Sequence, residues 1–189
     1  MAKIAYDEHY KDANYFGNPY KGLIRFFEHF EPKGTVLDLG CGQGRDTIPL
    51  AKMGYNVIAV DHSKVGIDQL TENAKKANLN IQAIVGDVFS LEIDQVVDII
   101  LLDSMLHFYK NDVERESTFV TRILNEIKVN GVFVNFIIKG KMREAIIKDL
   151  VNKSGFDWEV LAEEYVDYPE SNSKYHMLAV RKLENVIKR

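Results

Sequence analysis

Residues 36–46 read VLDLGCGQGRD, and the order of residue types in this stretch decides the fold. A short apolar run carries Asp38 near its end and breaks into Gly40, Gly42 and Gly44 before polar residues resume. Glycine reaches backbone conformations closed to other residues and lets a ligand approach the main chain. A helix beginning just behind the glycines offers N–H groups with no partner inside the helix, which suits polar ligand atoms. A glycine-rich turn alone is weak evidence. This one follows an apolar strand, opens a helix and is answered by an acid, Asp61, at the end of the next strand. A carboxylate in that position can accept both hydroxyls of a ribose. The competing role, cap of the following helix, is one that Ser63 can also fill.

Outward from this turn, strand and helix alternate. Strands are expected over 35–40, 56–61, 81–85, 96–102 and 131–138, and helices over 44–53, 64–77, 112–128 and 141–153. Ile67, Leu70, Ala74 and Ala77 follow the helical period, as do Val120, Ile123, Leu124 and Ile127. Asn111 followed by Glu114 resembles a capping box, and Gly54 and Gly155 stand where C-terminal caps belong. Pro49 falls inside the helix after the glycines, so that helix should begin late or kink. Near-continuous apolar strands imply a parallel sheet covered on both faces. The tail differs. Residues 158–166 and 175–182 are strand-like with a short polar loop between, an antiparallel hairpin added to the sheet. Ahead of the turn, Asn18 can cap a helix with Pro19 at its first position; Leu23, Phe26, Phe27 and Phe30 form its apolar face and Pro32 stops it. The reading is one domain over 1–189, with a helical cap or lid at 1–34 and a core at 35–182.

The chain has 189 residues, 46% apolar and 28% charged, which excludes a disordered or fibrous class. A formal net charge of −4 argues against a nucleic-acid partner, which calls for a basic surface. Cys41 is the only cysteine, so no disulfide can form within the chain, as suits a reducing compartment. The first residues, MAKIAYDEHYKDANYF, contain no apolar signal-peptide core. No uncharged run approaches the roughly 20 residues of a membrane helix. The expectation is a cytoplasmic protein with no membrane partner. Its oligomeric state is open.

Two cofactors could use such a turn. The dinucleotide fingerprint requires G-x-G-x-x-G, but Arg45 stands in place of the third glycine, where close helix packing is needed, and Asp38 is no part of that pattern. VLDLGCGQGRD instead resembles motif I of class I S-adenosylmethionine-dependent methyltransferases, and within that family the chain is most similar to small-molecule enzymes of the tellurite-resistance and thiopurine type. The resemblance implies an α/β, Rossmann-like seven-stranded, mostly parallel sheet with helices on both faces and a C-terminal antiparallel hairpin. It also implies S-adenosylmethionine as cofactor, S-adenosylhomocysteine as product and a small-molecule acceptor. Carried over residue by residue, Asp38 matches the strand-one acid that helps hold the methionine end, Asp61 the ribose acid, and Asp87 in Gly-Asp-Val 86–88 the acid that contacts the adenine amino group. The implied cofactor set is Asp38, Gly40, Cys41, Gly42, Gly44, Arg45, Asp61, His62, Asp87, Val88, Asp103 and Ser104.

Residues 103–108, Asp-Ser-Met-Leu-His-Phe, follow the fourth strand and should face the reactive methyl group, because ligands of open α/β sheets bind beyond the carboxyl ends of the strands. Asp103 and His107 are the catalytic candidates. His107 can act as a general base or simply shape the loop. Tyr6, His9, Tyr10, Tyr15 and Phe16 suit either a lid facing a sulfonium cation or a segment packed on the sheet edge. Cys41 reads as a small turn residue, since no partner base is identifiable. Asn18-Pro19-Tyr20 resembles the motif of adenine-specific DNA methyltransferases but precedes motif I instead of following an active-site strand. The histidines and the cysteine lack metal-ligand spacing, so no metal is expected. The reaction so implied is an in-line methyl transfer in which alignment alone supplies about 7–11 kcal/mol of the barrier. Three rivals remain: a non-catalytic adenosylmethionine-binding regulator, an NAD-dependent oxidoreductase, and an aminopropyl transferase resting on Asp103.

Overall fold

A computed structural model of the chain describes residues 4–184; residues 1–3 of the expected lid, and 185–189, lie outside the described residues. The glycine turn follows β1 (Thr35–Leu39), an inner strand flanked in parallel by β2 (Asn56–Asp61) and β4 (Ile99–Asp103). β3 (Ile81–Val85) lies outside β2, and β5 (Val132–Ile138) outside β4, both parallel. The hairpin of β6 (Trp158–Tyr168) and β7 (Ser173–Lys182) completes the sheet, with β7 inserted antiparallel between β5 and β6. The order is β3-β2-β1-β4-β5-β7-β6. The chain leaves β1 toward one edge and returns to build toward the other, so the crevice beyond the ends of β1 and β4 is the topological switch point.

Helices α1 (Ile4–His9), α2 (Lys21–His29), α3 (Thr47–Lys52), α4 (Lys64–Lys76), α5 (Val113–Glu126) and α6 (Lys141–Lys153) cover the sheet. Leu23 and Phe27 of α2 and Leu70 of α4 pack with Val36, Ile99 and Val134 on one face. Val120, Ile123 and Leu124 of α5 and Ile147 of α6 pack with Leu37, Ile100 and Phe133 on the other. Alternate residues of β1, β4 and β5 are therefore buried on opposite faces, the physical content of a covered parallel sheet.

Three local expectations are corrected. The helix placed after Asn18 begins at Lys21, behind Tyr20, with no side-chain cap; the Asn18 main-chain and side-chain amides donate instead to Glu170, at 3.0 and 3.3 Å. A carboxylate brought close by the fold outcompetes the local cap. Helix α5 follows Asp112, again without a side-chain cap, so the Asn111–Glu114 box does not form. β4 begins at Ile99 rather than residue 96, because the Val97 N–H turns back to Asp94 O. Elsewhere the local rules hold. Ser63 caps α4, accepting from Gly66 N at 3.1 Å. Gly54 and Gly155 adopt φ of +96° and +82° behind α3 and α6. Helix α3 starts late, at Thr47, which places Pro49 in its first turn, where its missing N–H costs no intrahelical bond.

Candidate active site

A cavity of about 680 Å³ runs along the carboxyl ends of the strands, within the range of roughly 300–1,000 Å³ typical of small-molecule sites. It extends from Gly86–Phe89 after β3, past Asp61 and His62 after β2 and the glycine turn after β1, to residues 103–107 after β4 and to Tyr168 and Tyr175 of the hairpin. Gly40 and Gly42 sit at φ of +86° and +53°. The Gly42 N–H donates to Asp61 Oδ2 at 2.9 Å, and Ser63 N–H donates to Asp61 Oδ1 at 2.8 Å. The buried Asp61 carboxylate thus joins the ends of β1 and β2 and lies on the cavity wall. His62 is half exposed beside it, Nδ1 3.6 Å from Asp61 Oδ1.

The third glycine position is occupied by Arg45, which turns inward. Its guanidinium donates to both oxygens of Asp46, at 3.0 and 2.8 Å, and to Asp103 Oδ2, and lies over the rings of Tyr20 and Tyr168 at 4.9 and 5.4 Å. Burial works against the charge on Arg45, but Asp103 and Asp46 overcome this and raise its pKa. Burial pushes the Asp103 carboxyl up, with Arg45 opposing. The Tyr20 hydroxyl lies 3.0 Å from both Asp103 Oδ1 and Ser104 Oγ. Ser104 and Phe108 hold left-handed φ of +58° and +48°, a local strain of the kind that clusters at functional sites.

Nearly all the residues singled out from the sequence border this cavity: Gly40, Cys41, Gly42, Arg45, Asp61, His62, Asp87, Val88, Asp103, Ser104, His107, Tyr6, Tyr10 and Phe16. His9, Tyr15, Asp38 and Gly44 do not. Asp38 is buried behind the turn, accepting from Thr47 Oγ1 at 2.5 Å, and braces the start of α3. Burial, and next the charge of Asp46, push its carboxyl up to about 7. Gly44 packs on α4, where an added Cβ would stand 2.4 Å from Leu70 Cδ1. Tyr15 is exposed and stacks on His9 at 4.8 Å, outside the cavity. Cys41 is buried and burial raises its thiol, the environment of an inert cysteine. Asp87 accepts from Phe89 N at 3.1 Å and shapes its own turn at the cavity mouth.

The N-terminal segment lies over the cavity and is tied to the glycine turn. Gln43 Nε2 donates to the main-chain oxygens of Tyr10 and Asp12, at 3.4 and 2.8 Å, and Gln43 Oε1 accepts from Tyr15 N at 2.9 Å. A Cβ on Gly42 would lie 2.5 Å from the Tyr10 hydroxyl oxygen, so ring and turn touch through the missing side chain. The Gln43 contacts were not legible in the sequence, because they cross some thirty residues. Nor were Tyr20, ahead of α2, and Tyr168 of the hairpin, which lie against Arg45, or Tyr175, which packs on both. Glu116 was missed although a signal existed: it sits on the buried face of α5 with Phe119, Val120 and Ile123, a carboxylate at a helical-period apolar position.

Where the glycine turn, the acid after β2 and the crevice at the strand-order reversal coincide, the fold is that shared by class I S-adenosylmethionine-dependent methyltransferases. The family model of the tellurite resistance protein TehB matches residues 6–176, and the chain belongs to that family. It is 30% identical to the probable S-adenosyl-L-methionine-dependent methyltransferase TehB of Haemophilus influenzae, over 75% of this chain and 50% of that one. It is also 30% identical to the cypemycin N-terminal methyltransferase of a Streptomyces species, over 60% of this chain and 46% of that one. The chain spans about half the length of these curated relatives. The N-methyltransferase NodS of Bradyrhizobium japonicum, solved with S-adenosylhomocysteine, shares the fold, with a TM-score of 0.76 at 13% identity over 95% of this chain and 97% of that one.

Proposed function

We infer that this chain transfers a methyl group from S-adenosylmethionine to a small-molecule acceptor. The observation that carries the reading is the Asp61 carboxylate, held by two backbone N–H groups at the end of β2 and facing the cavity. A rigid carboxylate there accepts ribose hydroxyls. The backbone of Gly40–Gly42 leaves room for the methionine end, and Asp87 with Val88 borders the adenine end. The cofactor supplies a methyl group on a sulfonium sulfur. The protein aligns the partners and excludes water. Tyr6, Tyr10 and Phe16 close the cavity from above, and their ring faces suit a cation. In this reading residues 1–34 act as the lid of the 35–182 core. His107, on the cavity wall, serves as general base for acceptors that must lose a proton.

The net charge of −4 and the enclosed trench favour a small acceptor over a nucleic acid. No helix among the described residues is long and apolar enough to cross a membrane. With Cys41 a free thiol, the reading places the protein in the cytoplasm.

The test is thermal unfolding with each ligand. At a hundred times its dissociation constant a ligand adds about 2.7 kcal/mol of stability, which for a chain of this size raises Tm by about 5–10 °C. S-Adenosylmethionine and S-adenosylhomocysteine should both do so, and NAD should not. A shift with NAD alone would overturn the reading.

A further inference from the structure

Tyr20, the last residue of the Asn18-Pro19-Tyr20 triplet, is wholly buried and does not border the cavity. Yet each polar contact of its side chain is with the cavity wall. Its hydroxyl lies 3.0 Å from Asp103 Oδ1 and 3.0 Å from Ser104 Oγ. The Arg45 guanidinium lies over its ring at 4.9 Å. One side chain thus touches both partners of the Arg45–Asp103 ion pair. The ring also stacks on Phe136 at 5.2 Å and meets Tyr168 edge-on at 5.0 Å. A phenylalanine would make those apolar contacts equally well. A buried hydroxyl costs free energy unless it is bonded, so the phenol is explained by what it bonds.

The wall held in this way faces the glycine turn. Met105 fills the space that a Cβ on Gly40 would need. Ser104, between Asp103 and Met105, keeps its left-handed φ of +58°, a conformation that persists only where the surroundings fix it. Arg45 Nη2 donates to Oδ2 of both Asp46 and Asp103, so two carboxylates stand against one guanidinium and leave a negative charge in excess. Burial pushes the Asp103 carboxyl up, and the Arg45 guanidinium and the Ser104 hydroxyl work the other way. A carboxylate that accepts from a guanidinium and two hydroxyls stays ionised despite burial. With the ribose at Asp61 and the methionine end at Gly40–Gly42, the sulfonium of the cofactor lies along this wall.

We propose that Tyr20 is a positioning residue whose hydroxyl holds the Asp103 carboxylate where its charge acts on the sulfonium of the cofactor; this rests on the methyl-transfer reading above. Tyr20 itself touches no ligand. Without the hydroxyl, Asp103 keeps Arg45 but loses the bond that fixes Oδ1, and Ser104 loses its link to α2. In a water-poor wall a small displacement of a charge changes its interaction with a nearby cation strongly. S-Adenosylmethionine carries that cation and S-adenosylhomocysteine does not. The ratio of their dissociation constants therefore reports the charge interaction, whereas damage to packing weakens both ligands alike. The same interaction favours turnover at product release, because transfer of the methyl group removes the charge that Asp103 holds.

The experiment is calorimetry of S-adenosylmethionine and S-adenosylhomocysteine on the full chain, for the wild type, Tyr20→Phe, Asp103→Asn and the double variant. Tyr20→Phe should weaken S-adenosylmethionine about three- to ten-fold relative to S-adenosylhomocysteine, whose own affinity stays within about two-fold. Asp103→Asn should shift the ratio at least as far, and adding Tyr20→Phe to it should change the ratio no further, because the hydroxyl acts through that carboxylate. Replacing Tyr20 by 4-aminophenylalanine, which keeps the ring and restores an N–H donor, should return the ratio toward wild type. An unchanged ratio in Y20F, an equal loss for both ligands, or a Y20F effect that persists in the Asp103→Asn background would each overturn the proposal. So would a Y20F chain that does not fold, which would assign the hydroxyl to stability. A wild type that binds neither ligand removes the methyl-transfer reading itself, an outcome distinct from an unchanged ratio.

Discussion

Replacing Asp61 by alanine should damage folding and ligand binding together. In the structure Asp61 accepts from Gly42 N and Ser63 N inside a buried corner. Truncation leaves both donors without a partner, at about 1–3 kcal/mol each, so the loss of stability should be about 2–6 kcal/mol. That is a large share of the 5–15 kcal/mol typical of a whole domain, and corresponds to a fall in Tm of roughly 5–20 °C for a chain of this size. The same change removes the carboxylate assigned to the ribose hydroxyls, and S-adenosylhomocysteine should bind about ten- to a hundred-fold more weakly. Asp61→Asn separates the two effects in part, since its carbonyl oxygen satisfies one N–H while its amide opposes the other; it should sit between wild type and alanine in stability. Urea unfolding at pH 7.5 and calorimetry give the two numbers. If Asp61→Ala unfolds within 0.5 kcal/mol of wild type, Asp61 does not hold the glycine turn. If the mutant is folded and its dissociation constant unchanged, Asp61 is not in the ligand site.

Asp38 and Gln43 support two further predictions. Burial holds the Asp38 carboxyl near 7 in the folded chain, against about 3.9 when unfolded. The folded state then binds the extra proton between those values, so stability is greatest below the unfolded value and falls as pH rises from about 4 to 7, by up to about 4 kcal/mol, levelling off above. Urea unfolding from pH 4 to 8 should show that slope in wild type and lose it in Asp38→Asn; parallel curves would refute the assignment. Gln43→Ala removes the bonds from the glycine turn to Tyr10, Asp12 and Tyr15. Amide exchange over residues 4–17 should quicken several-fold, with no change in β1, β4 or β5, and equal protection in the mutant would show that packing and the bonds from Ser63, Gln69 and Tyr168 hold the segment without Gln43.

Strand and helix positions were readable along the chain because they depend on neighbours a few residues apart. The apolar runs at 56–61 and 81–85 and the Ser63 cap needed nothing beyond local chemistry, and the structure matches them. The places where the reading slipped each involve a distant partner. Asn18 reads as a cap until Glu170 arrives from the far end of the chain. Asp38 and Asp61 look alike as strand-end acids, and the register puts them on the same face of the sheet, yet Asp38 stands two positions further back, under Thr47 at the start of α3, while Asp61 reaches the cavity wall.

The sequence by itself determined a glycine turn between an apolar strand and a helix, an acid one strand later, and an alternation that only a covered parallel sheet can satisfy. These follow from backbone freedom and hydrophobic period, which act over short spans of chain. Only the tertiary structure decided that Arg45 is spent on Asp46 and Asp103 under Tyr20 and Tyr168, that Gln43 ties the N-terminal segment to the turn, and that buried Glu116 takes the His107 and Phe108 N–H groups. Charge pairing and burial depend on distance in space, and the order β3-β2-β1-β4-β5-β7-β6 brings together at one crevice residues that stand more than a hundred positions apart.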